Sequence, residues 1–147
     1  MAEKNSHMAV KELVARAVSD SPSVIKGLGE PIEAGVNELF VSDKLTVLNL
    51  IWGPMMTLKP HDHKIWAVIG IYTGREDNIF WRKTKDDPVG HIEAANAKAI
   101  GAGDCAPLGK DVVHSVTNPI PRLTEQPFNM QGNIQLLEES NTRLRAA

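Results

Sequence analysis

Two histidines separated by one residue, His61 and His63 in PHDHKIW, and a third, His114 in DVVHSVTN, stand out in this 147-residue chain as groups whose type and spacing could do chemistry. On an extended strand residues i and i+2 project to the same face, so both imidazoles of the pair can reach one point a few ångströms away. His114 lies in a second strand-like segment, and antiparallel pairing in a barrel can bring it opposite the first two. Three neutral imidazoles suit Fe(II), Zn, Cu or Ni better than Mg or Ca, and they leave coordination positions open for small ligands. Each histidine alone reads more plainly as a surface or hydrogen-bonding group. His7 and His91 have no partner at such spacing and are expected to be solvated.

The elements that must position these groups are short strands. From Val36 to about Ile120 the chain is a series of apolar or alternating runs, NELFVS, LTVLNLIW, MMTLK, IWAVIGIYTG, DNIFWRK, IEAANAKAI and DVVHSVT, separated by turn residues. That spacing predicts seven or eight strands of an all-β sandwich or barrel. The continuous apolar run Ile65 to Tyr72 is expected to be the most buried, because a strand covered on both faces does not alternate. The polar stretch KTKDDPVG, with its Asp-Asp-Pro, predicts an exposed hairpin connection. Ahead of the strands, Met8 to Asp20 places Val10, Leu13, Val14, Ala17 and Val18 at helical spacing behind Ser6 as N-cap. Ser21 to Pro31 predicts one more helical turn closed by glycine. The organisation expected is a helical flank over 1–35 on a β-barrel domain over 36–147. The tail after Pro121 reads as a strand followed by a polar helix with Leu136, Leu137 and Leu144 near one face.

Composition bounds the function. With 42% apolar and 23% charged residues the chain is an ordinary globular domain. A net charge of −2, with its 16 Lys and Arg scattered, gives no electrostatic footprint for nucleic acid or an anionic membrane. No apolar run reaches the length of a spanning helix, and MAEKNSHMAVKELV carries charged residues where a signal peptide needs an apolar core, so a cytoplasmic location is expected. One cysteine, Cys105, excludes an internal disulfide and any cysteine-rich zinc site.

The motifs around the histidines resemble those of the cupins, the double-stranded β-helix superfamily. The first cupin motif is matched by Gly53, His61, His63 and Gly74, and the second by Gly101, Pro107, Gly109, His114 and Asn118, with two extra residues between Gly109 and His114. Many cupins carry a ligand Glu where this chain has Ala67. A three-histidine site without that Glu resembles cysteine dioxygenase and related thiol dioxygenases, as do LIWGPMMTLKPHDH and HSVTN. HDHKIWAVIGIYTGREDNIFWR resembles a bacterial branch of metal-dependent cupins related to them. The resemblance implies a jelly-roll barrel, Fe(II) on His61, His63 and His114, and oxidation of a small molecule with O2. Zn or Ni, with hydrolysis or isomerisation, and a non-catalytic binding module are the alternatives. The family's substrate-binding arginine falls near Val41, its tyrosine near Gln131 and its polar partners in Pro127 to Asn129, none of which supplies the same chemistry.

Further candidates follow from the same reading. Trp66, Tyr72, Phe80 and Trp81 could line the cavity, although aromatics on strands are usually core. Arg75, Arg82 and Arg122 are the cations that could replace the missing anion clamp. Arg82 and Trp66 are the residues taken as catalytic candidates. Asp62 faces away from the two ligands beside it and is expected to hydrogen-bond rather than coordinate. Met55 and Met56 read as core on a strand, and Cys105 as a small buried hydrophobe without a neighbouring base. An all-β domain must protect its sheet edges, so a homodimer is expected.

Overall fold

In a computed structural model the protein is described over residues 2–86, 89–120 and 131–138. Among these residues two helices, α1 (Ala2–Val18) and α2 (Ser21–Leu28), precede nine strands. These are β1 (Gly35–Val41), β2 (Leu45–Trp52), β3 (Thr57–His61), β4 (Ala67–Thr73), β5 (Arg75–Lys83), β6 (Ile92–Gly101), β7 (Cys105–Leu108), β8 (Val113–Thr117) and β9 (Gln131–Glu138). They form a five-stranded sheet in the order β1-β2-β9-β4-β7 and a four-stranded sheet in the order β3-β8-β5-β6. Every pairing is antiparallel. No helix among the described residues is long and apolar enough to cross a membrane.

The apolar run read as most buried is so because β4 is covered on both faces: Ala67 to Tyr72 are all buried. Ile65, Ala67, Ile69 and Ile71 join Ile100, Ala106, Leu108 and Leu137 in the barrel core. The alternate residues, Val68 and Tyr72, turn outward to Val14 and Val18 of α1 and to Leu136. Gly70 lets the helix lie this close, since a Cβ there would stand 2.5 Å from Val14 Cγ1 and 2.7 Å from Val18 Cγ1. At Gly132 on β9 an added Cβ would run into the ring of Tyr72. Tyr72 is buried there, and its hydroxyl donates to Asn49 Oδ1 at 2.8 Å.

Four expectations are corrected. Helix α1 begins at Ala2, so Ser6 lies inside it and is not its cap. Met55 and Met56 belong to an exposed turn before β3, with Met55 at φ 60° and the Met56 sulfur accepting the Gly53 N–H. The strand read from MMTLK therefore starts two residues later, at Thr57. Leu136 and Leu137 lie on β9, a central strand between β2 and β4, and not on a helix. Leu144, Arg122 and the segment Pro127 to Asn129 lie outside the described residues. The short β7 was not distinguished in the sequence, whereas α2 is as expected, with Gly29 at φ 90° closing it.

Candidate metal centre

Strand pairing places the three histidines. His61 is the last residue of β3 and stands opposite His114 on β8. The chain leaves the strand after His61, and His63 follows in a turn that reverses at Lys64, φ 59°. The pair thus meets by a strand end and a turn, not by the i, i+2 alternation of one continuous strand. Ring centroids lie 4.6 Å apart for His61 and His114, 5.0 Å for His61 and His63, and 5.4 Å for His63 and His114. One nitrogen from each ring falls within 4.8 Å of the others. Asn118, the last residue of the second motif, is buried and ties the two motifs together, donating to the carbonyls of Trp52 and Gly53.

On two of the three rings the nitrogen not needed for a metal is already engaged. His61 Nδ1 donates to the Lys59 carbonyl at 2.8 Å, and His114 Nδ1 lies 2.9 Å from Asn78 Oδ1. An imidazole with its Nδ1 proton committed presents a bare Nε2, the form a metal requires. The Nε2 atoms of His63 and His114 face each other at 3.2 Å. Two donors at that separation, each about 2.1 Å from a shared ion, would subtend roughly 100° at it, between the tetrahedral and octahedral values. The donor set fits a mononuclear transition-metal ion.

Burial disfavours the charged form of two of the three rings, His114 and His63. His114 is 1% exposed, and its pKa is lowered to about 3 by desolvation and then by the neighbouring His61 and His63. His63 is lowered as well, by burial and by His61, with Asp62 partly opposing. Neutral imidazoles are the competent ligands, so burial favours the coordinating form of His63 and His114.

Beyond His114 runs a polar chain that sequence reading did not single out. Glu76, Asn78 and Phe80 alternate along β5 and turn to the barrel interior, where Asn78 and Phe80 stand opposite Val116 and His114. Asn78 Nδ2 donates to Glu76 Oε1 at 2.9 Å, and Asn133 Nδ2 on β9 reaches Glu76 Oε2 at 3.3 Å. The chain His114, Asn78, Glu76, Asn133 therefore crosses the barrel from one sheet to the other. Burial raises the Glu76 pKa, while the amides of Asn78 and Asn133 pull it back. The available signal was the GREDNIFWR stretch: once Phe80 is placed toward the cavity, two-residue alternation puts Asn78 and Glu76 beside it.

Of the four aromatics considered for the cavity, Phe80 alone lies against the histidines, its ring nearly parallel to that of His114 at 6.4 Å. Trp66 and Tyr72 pack with the cluster beneath α1, on the outer face of the five-stranded sheet. Trp66 stacks there on His7, whose Nε2 also lies 3.2 Å from the Ala67 carbonyl, so His7 is not simply solvated. Trp81 is on the opposite face of β5 from Phe80 and donates to Ser115 Oγ. Arg82 pairs with Glu93 at 2.9 Å with its side chain 66% exposed, and Arg75 pairs with Asp77. Asp62 lies 3.4 Å from the exposed Lys64 ammonium, and Cys105 is half-buried with its thiol pKa raised by burial. Among the described residues no carboxylate joins the three-histidine group, and Ala67 is fully buried in the apolar core.

No family model matches the sequence, and no curated protein does. Solved structures match the fold. A cupin superfamily protein from Desulfitobacterium hafniense is 10% identical at a TM-score of 0.53, over 72% of this chain and 77% of its own. An RmlC-like cupin with a double-stranded β-helix fold from Methanocaldococcus jannaschii is 8% identical at 0.55, over 75% and 84%. Bacillus subtilis oxalate decarboxylase, described with Mn(II) centres, is 15% identical at 0.54, over 77% of this chain and 27% of that longer one. With two antiparallel sheets closing over these histidines, the chain has the cupin double-stranded β-helix fold and carries a three-histidine group that could bind a metal.

Proposed function

We propose that the protein is a mononuclear metal-dependent cupin that oxidises a small molecule with O2, with Fe(II) held by His61, His63 and His114. The observation that carries this reading is the convergence of the three rings with the Nδ1 atoms of His61 and His114 already hydrogen-bonded. Bound there, iron supplies redox chemistry toward O2 and, with three neutral ligands, an uncompensated charge that favours an anionic substrate group such as a thiolate. The chain's own residues orient the rings through Lys59 and Asn78, and Phe80 bounds the site beside His114. The lone thiol, Cys105, suits a cytoplasmic setting. Exposed Val36, Leu39 and Phe40 on the edge strand β1 support a homodimer, which a monomeric mass in light scattering would overturn.

The pairing of Arg75 and Arg82 in exposed ion pairs favours a second reading, a non-catalytic metal-binding cupin or a Zn or Ni hydrolase or isomerase. Metal content of the purified protein, followed by an oxygen electrode with small thiols, separates the two. Near-stoichiometric iron and multiple-turnover O2 consumption that disappears in His114→Ala support the dioxygenase. Bound metal without O2 consumption supports the second reading.

A further inference from the structure

We propose that Glu76 fixes which nitrogen of His114 carries the proton, by setting the direction of the Asn78 amide between them. The inference rests on the metal-centre reading above but concerns a property of the metal-free chain. The Asn78 amide has a donor end and an acceptor end, and either could face the imidazole. As a carboxylate, Glu76 can only accept, and this removes the choice. Its two carboxyl oxygens receive amide N–H groups from opposite sheets, Asn78 at 2.9 Å and Asn133 at 3.3 Å. With Nδ2 turned to Glu76, Asn78 leaves only Oδ1 for His114, 2.9 Å away, and Oδ1 can only accept. His114 therefore carries its proton on Nδ1 and presents a bare Nε2 to the site. In the metal-free protein the 3.2 Å contact between His63 and His114 is then an Nε2–H of His63 donating to Nε2 of His114. All four groups of the chain are buried, so water does not compete for these positions. Glu76 and Asn78 are positioning residues acting through His114.

The test is the tautomer, read in chelator-treated protein labelled with 15N-histidine by long-range proton–nitrogen correlation near neutral pH. The expected result is a single Nδ1–H form of His114. In Glu76→Gln the neighbouring amide can also donate, Asn78 can turn over, and the Nε2–H form of His114 becomes populated. Zn(II) affinity, measured by chelator competition, then falls about tenfold or more. The double variant Glu76→Gln with Asn78→Asp reverses the polarity of the pair, because Asp at 78 again offers His114 only an acceptor. It restores the Nδ1–H form and brings the affinity back to within a few-fold. An Nε2–H form in the wild-type protein, or a Glu76→Gln variant with unchanged tautomer and affinity, overturns the proposal. A locked Nδ1–H form in a protein that binds no metal overturns the metal-centre reading and leaves the lock standing.

Discussion

Acid is expected to destabilise the metal-free protein well above the pH at which ordinary carboxylates titrate, and His114 sets the size of the effect. Its folded-state pKa is lowered to about 3, by burial first and by His61 and His63 after it, against an ordinary value of 6.5. The unfolded chain therefore binds the proton that the folded chain refuses, and stability rises with pH between the two values. It is fully present above 6.5 and is lost as the pH falls toward 3. At pH 4.5 the unfolded ensemble is favoured by roughly a hundredfold through this one group, about 2.7 kcal/mol, against about 0.2 kcal/mol at pH 7. Urea unfolding of chelator-treated protein should show the midpoint falling by on the order of 1 M across that interval. His114→Gln removes the contribution, while His63, lowered in the same direction by burial and His61, remains in both proteins. The difference between the two pH curves thus carries the contribution of His114 together with any change it causes at His63, its 3.2 Å neighbour. Parallel curves from pH 7 to 4.5 would refute the reasoning, because they would mean that the ring protonates as easily in the barrel as outside it.

Two further expectations concern the face that braces β4. Gly70→Ala places a methyl group against the stiff, branched Val14 and Val18 of α1 and should cost about 1–3 kcal/mol in thermal unfolding, partly recovered in a Val14→Ala background. A Gly70→Ala protein melting like wild type would show that α1 does not seat on this strand. Tyr72→Phe leaves Asn49 Oδ1 buried without the 2.8 Å hydroxyl donor, and a loss of about 1–3 kcal/mol is expected; an unchanged melting temperature would show that water replaces the hydroxyl.

Strand β2 was legible to the residue, Leu45 to Trp52, because its apolar run ends in turn residues at both sides. The pairing of His61 with His114 followed from two motifs in order along a barrel. What escaped has one physical cause. In β9 the residues turned outward, Ile134 and Leu136, are apolar because helices cover that face, while of the inward residues Asn133 and Gln135 are polar and Leu137 is apolar. The usual rule, apolar inside and polar outside, is inverted there, and two adjacent leucines then read as easily on a helix as on a strand. The same inversion hid Glu76 and Asn78 on β5, which as polar residues in an alternating run look solvent-facing. Trp66, aromatic and next to the ligands in sequence, lies on the sheet face that α1 and α2 cover.

Burying Glu76, Asn78 and Asn133 inside a barrel is costly, since each polar group given up by water must find a partner in the interior. A small barrel could fill the same space with aliphatic side chains, as Ile69, Ile71 and Ile100 already do around it. The polar groups do not scatter through that core; they join end to end and finish on a ligand-competent nitrogen of His114. A merely structural network gains nothing from ending on an imidazole whose free nitrogen faces two other imidazoles. Departures from local folding rules concentrate where function is built, and here the departure from apolar interior filling leads directly to the histidine cluster. The network is therefore best understood as support for that cluster, in which Glu76 and Asn78 spend folding stability to hold His114 in one orientation and one protonation form.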